Sequence, residues 1–233
     1  MTGATRRERA AVSGGSGTPP AADPVARPVV RPVGAHGLLV ELGSGERTQA
    51  LHAELLRRRA DGRLPGVTEI VPAARTVLLD GVADPDALAA ELPGWEIGPL
   101  RTREEPVVEI PVRYDGPDLA EVAEVWGVAP EEVGPIHADR EFRVAFCGFA
   151  PGFGYLTGLP ERYAVSRRTT PRTSVPAGSV ALAGAYTGVY PRPSPGGWRL
   201  IGTTDLALWD AAREPAALLA PGVRVRFVPE ARR

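Results

Sequence analysis

Apolar residues recur along this chain in two rhythms, and the change between them divides it. Leu38-Leu39-Val40-Glu41-Leu42, ahead of a Gly43-Ser44-Gly45 turn, reads as a strand. Residues 47–60 repeat Leu51, Leu55 and Leu56 at helical spacing and close on Arg57-Arg58-Arg59, where cations suit the helix dipole. Val67 to Val71 and Thr76 to Leu79 read as two further strands. Asp84-Pro85 then opens a helix running through Leu92, an Asp cap followed by Pro at the first helical position. With a closing strand near Val107 to Val112, the predicted order is that of a small ferredoxin-like α+β unit.

Glu104-Glu105-Pro106 marks the expected boundary. Beyond it, Leu119, Val122, Ala123 and Trp126 keep helical spacing, Pro130-Glu131-Glu132 starts a second short helix leading to His137, and Glu141 to Phe146 reads as a strand. From there on Gly and Pro punctuate every few residues. Pro removes backbone donors and Gly raises the entropy of ordering, so this stretch cannot be helical. Many short strands with fixed turns indicate a barrel or sandwich. Residues 1–33 carry Gly, Ser, Pro and Ala without periodicity and are expected to be a disordered extension. The predicted layout is therefore 1–33 extension, 34–105 ferredoxin-like α+β domain, and 106–233 β-barrel domain.

Composition narrows the chemistry. The 233 residues carry a net charge of −1, which gives no bulk attraction to nucleic acid, and no apolar run is long enough for a transmembrane helix. Cys147 is the only cysteine, and no apolar segment follows Arg6-Arg7, so a reducing, cytoplasmic setting is expected. All 27 basic residues are arginine. Without lysine this chain forms neither a Walker-type phosphate loop nor a Schiff base. Any phosphate it holds is held by guanidinium forks, hydroxyls, backbone N–H groups or a metal.

Arginine is also concentrated. Between Arg162 and Thr204 lie six arginines and no Asp or Glu. Arg167, Arg168 and Arg172 are the sharpest candidates for binding an anion; the bland alternative is a solvated, positively charged strand edge. Ser194-Pro195-Gly196-Gly197-Trp198 offers a hydroxyl and an approachable backbone, or else a tight turn over a core tryptophan. Phe149, Phe153 and Tyr155, in a Gly-rich turn, line a barrel mouth or fill a core. The Ser179 hydroxyl is a ligand group or part of a turn. His137 handles a proton or is a satisfied core histidine. Three scattered histidines, His36, His52 and His137, give no metal-ligand spacing. Cys147 reads as an inert core thiol.

Five runs carry a family resemblance: Gly148-Phe149-x-Pro151-Gly152-Phe153-x-Tyr155-Leu156, Arg167-Arg168-x-Thr170-Pro171-Arg172, Val175-Pro176-Ala177-Gly178-Ser179-Val180, Thr187-Gly188-x-Tyr190-Pro191, and Ser194-Pro195-Gly196-Gly197-Trp198-x-x-Ile201-Gly202. Together they resemble the allophanate hydrolase subunit 1 family, also described as the B-type subunit of bacterial ATP-dependent 5-oxoprolinase; sporulation-kinase inhibitors and part of the urea carboxylase carboxyltransferase domain are similar. The resemblance implies a cyclophilin-like C-terminal barrel, a homologous barrel partner (the C-type subunit) and a third protein (the A-type subunit). It implies ATP as a substrate, with Mg²⁺ expected from ATP chemistry. On this reading His137, Arg168 and Arg172 are catalytic, and Arg167, Ser179, Tyr190, Ser194 to Trp198 (with Pro195, Gly196 and Gly197 between them), Phe153 and Tyr155 bind substrate or nucleotide. Thr203 stands where the family pattern has Arg, and Tyr186 where many relatives have Gln. Two other functions stay open: a non-catalytic histidine-kinase inhibitor, and one component of a urea- or allophanate-type amidohydrolase or carboxyltransferase.

Overall fold

The computed structural model describes residues 27–99 and 107–230. Residues 1–26 of the expected extension, and the boundary at Glu104-Glu105-Pro106, lie outside the described residues.

The N-terminal unit runs β1 (Val29–Val33), β2 (Gly37–Glu41), α1 (Gly45–Ala60), β3 (Glu69–Pro72), β4 (Thr76–Asp80) and α2 (Pro85–Glu91). Its sheet is antiparallel throughout, in the order β1-β2-β4-β3. Helix α1 starts where the Ser44 hydroxyl accepts from the Arg47 N–H, and it buries Thr48, Leu51, His52 and Leu55, one face at helical spacing. Helix α2 starts on Asp84, whose carboxylate accepts from the Ala87 N–H at 3.0 Å. Leu38, Val40, Leu51, Leu55, Val77 and Leu79 form the core between sheet and helices.

Two expectations are corrected here. Val29–Val33, assigned to the extension, forms β1, because Val29 to Val33 pair register by register with Glu41 to Gly37. The closing strand expected for this unit is absent from its sheet: β5 (Val107–Val112) pairs elsewhere, and β1 occupies the edge beside β2 instead.

The second unit adds α3 (Leu119–Trp126), α4 (Pro130–Ala138), β6 (Glu141–Cys147), β7 (Gly154–Thr157), β8 (Arg172–Val175), β9 (Ser179–Ala183), β10 (Tyr186–Val189), β11 (Ser194–Gly196), β12 (Arg199–Thr203) and β13 (Arg224–Pro229). Seven strands form one mixed sheet, β12-β9-β10-β7-β6-β13-β5, with β13 parallel to β5 and the other pairs antiparallel. The outermost strands meet at a bridge in which Arg113 and Thr203 exchange both backbone hydrogen bonds, at 2.8 and 2.9 Å. The result is a nearly closed barrel. Arg113 locks that seam with a bidentate ion pair to Asp205 and a further contact to Glu230.

Strand β9 is buried on both faces and shows how the barrel is layered. Val180 and Leu182 point into the main core with Ile110, Phe142, Leu156 and Phe227. Ala181 and Ala183 point the other way, into a second cluster with Phe153, Val175, Tyr190, Trp198 and Leu200. Strands β8 and β11 pair as a separate ribbon, and their Val175 belongs to that second cluster. Sequence elements spread from residue 153 to 200 are thus gathered on one outer face of the barrel.

Candidate functional site

The outer face is built on aromatic rings. Tyr155 stacks on Phe146 with centroids 4.3 Å apart, and Phe153 meets Tyr155, Tyr190 and Trp198 edge-to-face at 5.1–5.5 Å. Tyr186 packs edge-on against Phe146 and Tyr155. Phe149 closes one end against Phe153 and Tyr190. Edge-to-face pairs place the positive rim of one ring on the negative face of the next, so the cluster is self-supporting and rigid. Of the residues nominated from the sequence, Phe153, Tyr155, Tyr190 and Trp198 therefore converge.

The β8–β11 ribbon carries the arginines to this face. Gly196 pairs with Arg172 and Ser194 with Val175, while the Arg168 N–H donates to the Gly197 carbonyl at 2.7 Å. Gly196 has to be glycine, since a Cβ there would lie 2.3 Å from the Tyr190 hydroxyl. Exposed Arg167 holds its guanidinium 5.8 Å above the Trp198 ring. Burial pushes the Tyr190 phenol up, against an opposing pull from Arg167, the Trp198 N–H and Arg172.

Asp118, at the N-cap of α3, was not nominated by the sequence and organises the ribbon. Its carboxylate leaves the helix end uncapped and turns across to the ribbon, with its side chain 1 % exposed. It accepts from both Nη atoms of Arg172 at 2.8 and 3.0 Å, from Arg168 Nη1 at 3.1 Å and from the Leu200 N–H at 2.7 Å. Burial raises its pKa, but Arg172, the Leu200 N–H and Arg168 outweigh that and hold the carboxyl below the usual aspartate range. Glu121, one turn further along α3, pairs with Arg199 and lies 3.6 Å from Arg168. The expectation that these arginines lack acidic company is thereby corrected. They lack it in sequence, and α3 supplies it in space. Arg162, Arg167 and Arg192 remain exposed and enter no ion pair among the described residues.

Of the nominated residues, His137 and Ser179 are buried, and Phe153, Tyr190 and Trp198 are themselves only 2–5 % exposed. His137 is fully buried in the barrel core, with Nδ1 2.8 Å from the Tyr114 hydroxyl and Nε2 3.2 Å from Thr187 Oγ1. It packs on Phe142 and Phe227, and burial pushes its pKa down to about 3. A ring so enclosed, with both nitrogens engaged, is a satisfied core histidine, and the proton-handling expectation is corrected on that ground. The Ser179 hydroxyl, 2 % exposed as a residue, donates to the Pro176 carbonyl at 2.9 Å and so closes a turn. The Ser194 hydroxyl likewise donates locally, to the Arg192 carbonyl at 3.3 Å. Pro195 is exposed on the ribbon. Thr203 donates to the Asp115 carboxylate at 2.9 Å beside the barrel seam.

A family model described as carboxyltransferase domain, subdomain C and D, matches residues 28–219. The chain belongs to that family. It is 43 % identical over 175 residues to a protein named as the B-type subunit of 5-oxoprolinase in Escherichia coli O157:H7, spanning 72 % of this chain and 80 % of the relative. That relationship places it in the B-type group of 5-oxoprolinase subunits, as its motifs indicated. Among solved structures, TTHA0988 superposes with a TM-score of 0.69 at 37 % identity, over 85 % of this chain and 40 % of that one. The K. lactis urea amidolyase shares the fold alone, with a TM-score of 0.64 at 18 % identity over 91 % of this chain and 15 % of its own. The chain therefore spans less than half of either solved relative. Among the described residues, no helix is long and apolar enough to cross a membrane.

Proposed function

We propose that this chain is the B-type subunit of an ATP-dependent 5-oxoprolinase, acting with a homologous barrel protein and a third protein to open 5-oxoproline to glutamate. The observation that carries the reading is the 43 % identity to a protein of that name across most of both chains. The outer-face geometry agrees with it. The substrate is a small, flat ring bearing one carboxylate, and the face presents the exposed Arg167 guanidinium above Trp198, whose ring is itself buried in a cluster with Phe153 and Tyr190.

A lactam is a resonance-stabilised amide and a poor electrophile. Phosphoryl transfer from ATP to the lactam oxygen opens the ring carbon to water; cleavage of the ring C–N bond and loss of phosphate then give glutamate. Charge stabilisation and alignment are what a protein contributes to such a step. Arg167 is assigned to the substrate carboxylate or a transferring phosphate. Arg168 and Arg172, fixed by Asp118, and Arg199, paired with Glu121, contribute a net positive field, since three guanidinium groups meet two carboxylates. The Ser194 to Gly197 backbone forms one wall. Mg²⁺ would enter with the nucleotide, as expected for ATP chemistry.

The test is direct. The chain is co-expressed with its two partner proteins, and ATP-dependent release of glutamate from 5-oxoproline is assayed beside a panel of other lactams and ureas. Turnover of 5-oxoproline that falls sharply in Arg167→Ala, with an unchanged melting temperature, supports the proposal. Turnover confined to ureas, or none on any lactam, would reject it.

A further inference from the structure

Between the N-terminal unit and the barrel lies a cleft that the proposed reaction does not use. Strand β3 approaches β6 there, and the cavity beside them measures about 430 Å³. Its walls come from both units: Glu46 and Gln49 in the first turns of α1, the turn between β3 and β4, and Glu141, Arg143, Thr157 and Tyr186 of the barrel. Arg167, Arg168, Arg172, Tyr190 and Trp198 do not border it. Small-molecule sites favour such junctions between units, and the volume lies within their usual range.

The two walls carry opposite charge. On the α1 side, Glu46 enters no ion pair and the Gln49 amide no hydrogen bond among the described residues. On the barrel side, the Arg143 guanidinium donates to the Gly222 carbonyl at 2.8 Å, a neutral partner that leaves its charge in place. Glu141 is taken by Arg224 at 2.6 Å. Tyr186 rests edge-on against Phe146 and Tyr155, and its hydroxyl has no hydrogen-bond partner among the described residues. Arg75, in the turn between β3 and β4, is close enough for its charge to oppose the rise that burial gives the Tyr186 phenol.

We infer that this cleft binds a free α-amino acid, its carboxylate on Arg143 and its ammonium on Glu46. A zwitterion satisfies both walls at once through charge-assisted hydrogen bonds. A nucleoside triphosphate is the wrong guest, because Glu46 and Glu141 would face its phosphates with like charge. The volume left over accommodates an amino-acid side chain beside the Tyr186 ring, with Gln49 and Thr157 as neutral hydrogen-bonding groups. Gripped from both sides, the ligand ties the N-terminal unit to the barrel. The inference stands without the activity proposed above, since the cleft shares no charged residue with the outer face.

The full chain is screened by thermal shift against the twenty L-amino acids and MgATP, and the strongest binder is titrated calorimetrically. At least one amino acid should raise the melting temperature, since a ligand of the folded state stabilises it. Glu46→Gln and Arg143→Gln should each weaken its binding about tenfold or more, the loss expected for a hydrogen bond to a charged group. The N-acetyl derivative, which lacks the ammonium, should be weakened to a similar degree, while Arg167→Ala should bind as wild type does. Glu46 is exposed on the first turn of α1, so its variant keeps the test decisive even if the barrel variant does not fold. Binding by none of the amino acids would overturn the inference, as would wild-type affinity in Glu46→Gln or for the N-acetyl derivative. Binding lost in Arg167→Ala would overturn it too, because the ligand would then sit on the outer face. MgATP binding that depends on Arg143 would replace the zwitterion with a nucleotide. Each of these readings is independent of 5-oxoproline turnover, so failure of the activity and failure of the cleft are told apart.

Discussion

Acidification should weaken the barrel in a window set by His137. In the folded chain burial pushes its imidazole pKa down to about 3, whereas an unfolded histidine titrates at about 6.5. The unfolded state therefore takes up the proton first, and stability falls as pH drops below about 6.5, continuing until the folded group titrates as well. Within that window one proton separates the two states, so the slope is about 1.4 kcal/mol per pH unit. Between pH 7 and pH 5 the integrated loss is about 2 kcal/mol, a substantial share of a typical domain stability. His52 in α1, lowered to about 4 chiefly by burial and then by Arg59, adds a similar loss to the N-terminal unit. The two units have separate cores, so two transitions are followed. Urea unfolding at pH 7 and pH 5 of a Trp95→Phe variant, read by tryptophan fluorescence, reports on the barrel, since Trp126, Trp198 and Trp209 all lie in it. His137→Gln should lower stability at pH 7 yet remove most of the slope. A barrel equally stable at both pH values, or a slope untouched by the substitution, would refute the reasoning.

Two further outcomes follow from the geometry. Asp118→Ala leaves Arg168 and Arg172 without their shared buried carboxylate and should cost about 3–5 kcal/mol, because breaking one member of a buried ion-pair group strands the rest. Calorimetry would read this as a fall in melting temperature of roughly 10 °C or more, and an unchanged value would mean the node is dispensable. Cys147, its thiol pushed up to about 11 by burial and its Sγ 3.6 Å from the Leu219 carbonyl, should react with iodoacetamide at pH 8 at least about tenfold more slowly than free cysteine. Labelling at the free-cysteine rate would contradict that environment.

Much of the fold could be read from local pattern. Leu51 and Leu55 in α1, the Asp84-Pro85 start of α2, and Val122, Ala123 and Trp126 in α3 all lie on the buried faces or at the caps where periodicity puts them. What escaped was long-range. Val29–Val33 has few residues, Pro28 before it, Pro32 within it and no alternation of its own; only its partner β2 makes it a strand. Val107–Val112 is an unmistakable strand, but its apolar run carries no sign of which sheet it joins. In the site, the aromatic positions and the arginine ribbon were visible, because Gly and Pro confine that backbone. Asp118 was not. An Asp just ahead of an amphipathic helix reads as an ordinary cap, and nothing local reveals that its carboxylate reaches across to residues 168, 172 and 200. His137 shows the converse error, since a lone histidine gives no local sign of how deeply it will be enclosed.

The position of β13 has a consequence for biosynthesis. It lies between β5 and β6, parallel to the first and antiparallel to the second, yet it follows them by almost the whole length of the barrel. While the ribosome is still working through residues 113 to 223, β5 and β6 lack the neighbour that unites them, and their unpaired backbone edges are open to stray pairing. Only when residues 224–229 clear the exit tunnel does the wall become continuous. Nascent chains of this protein are thus expected to depend on holding chaperones until β13 has emerged, and those stalled short of Arg224 should be the aggregation-prone species.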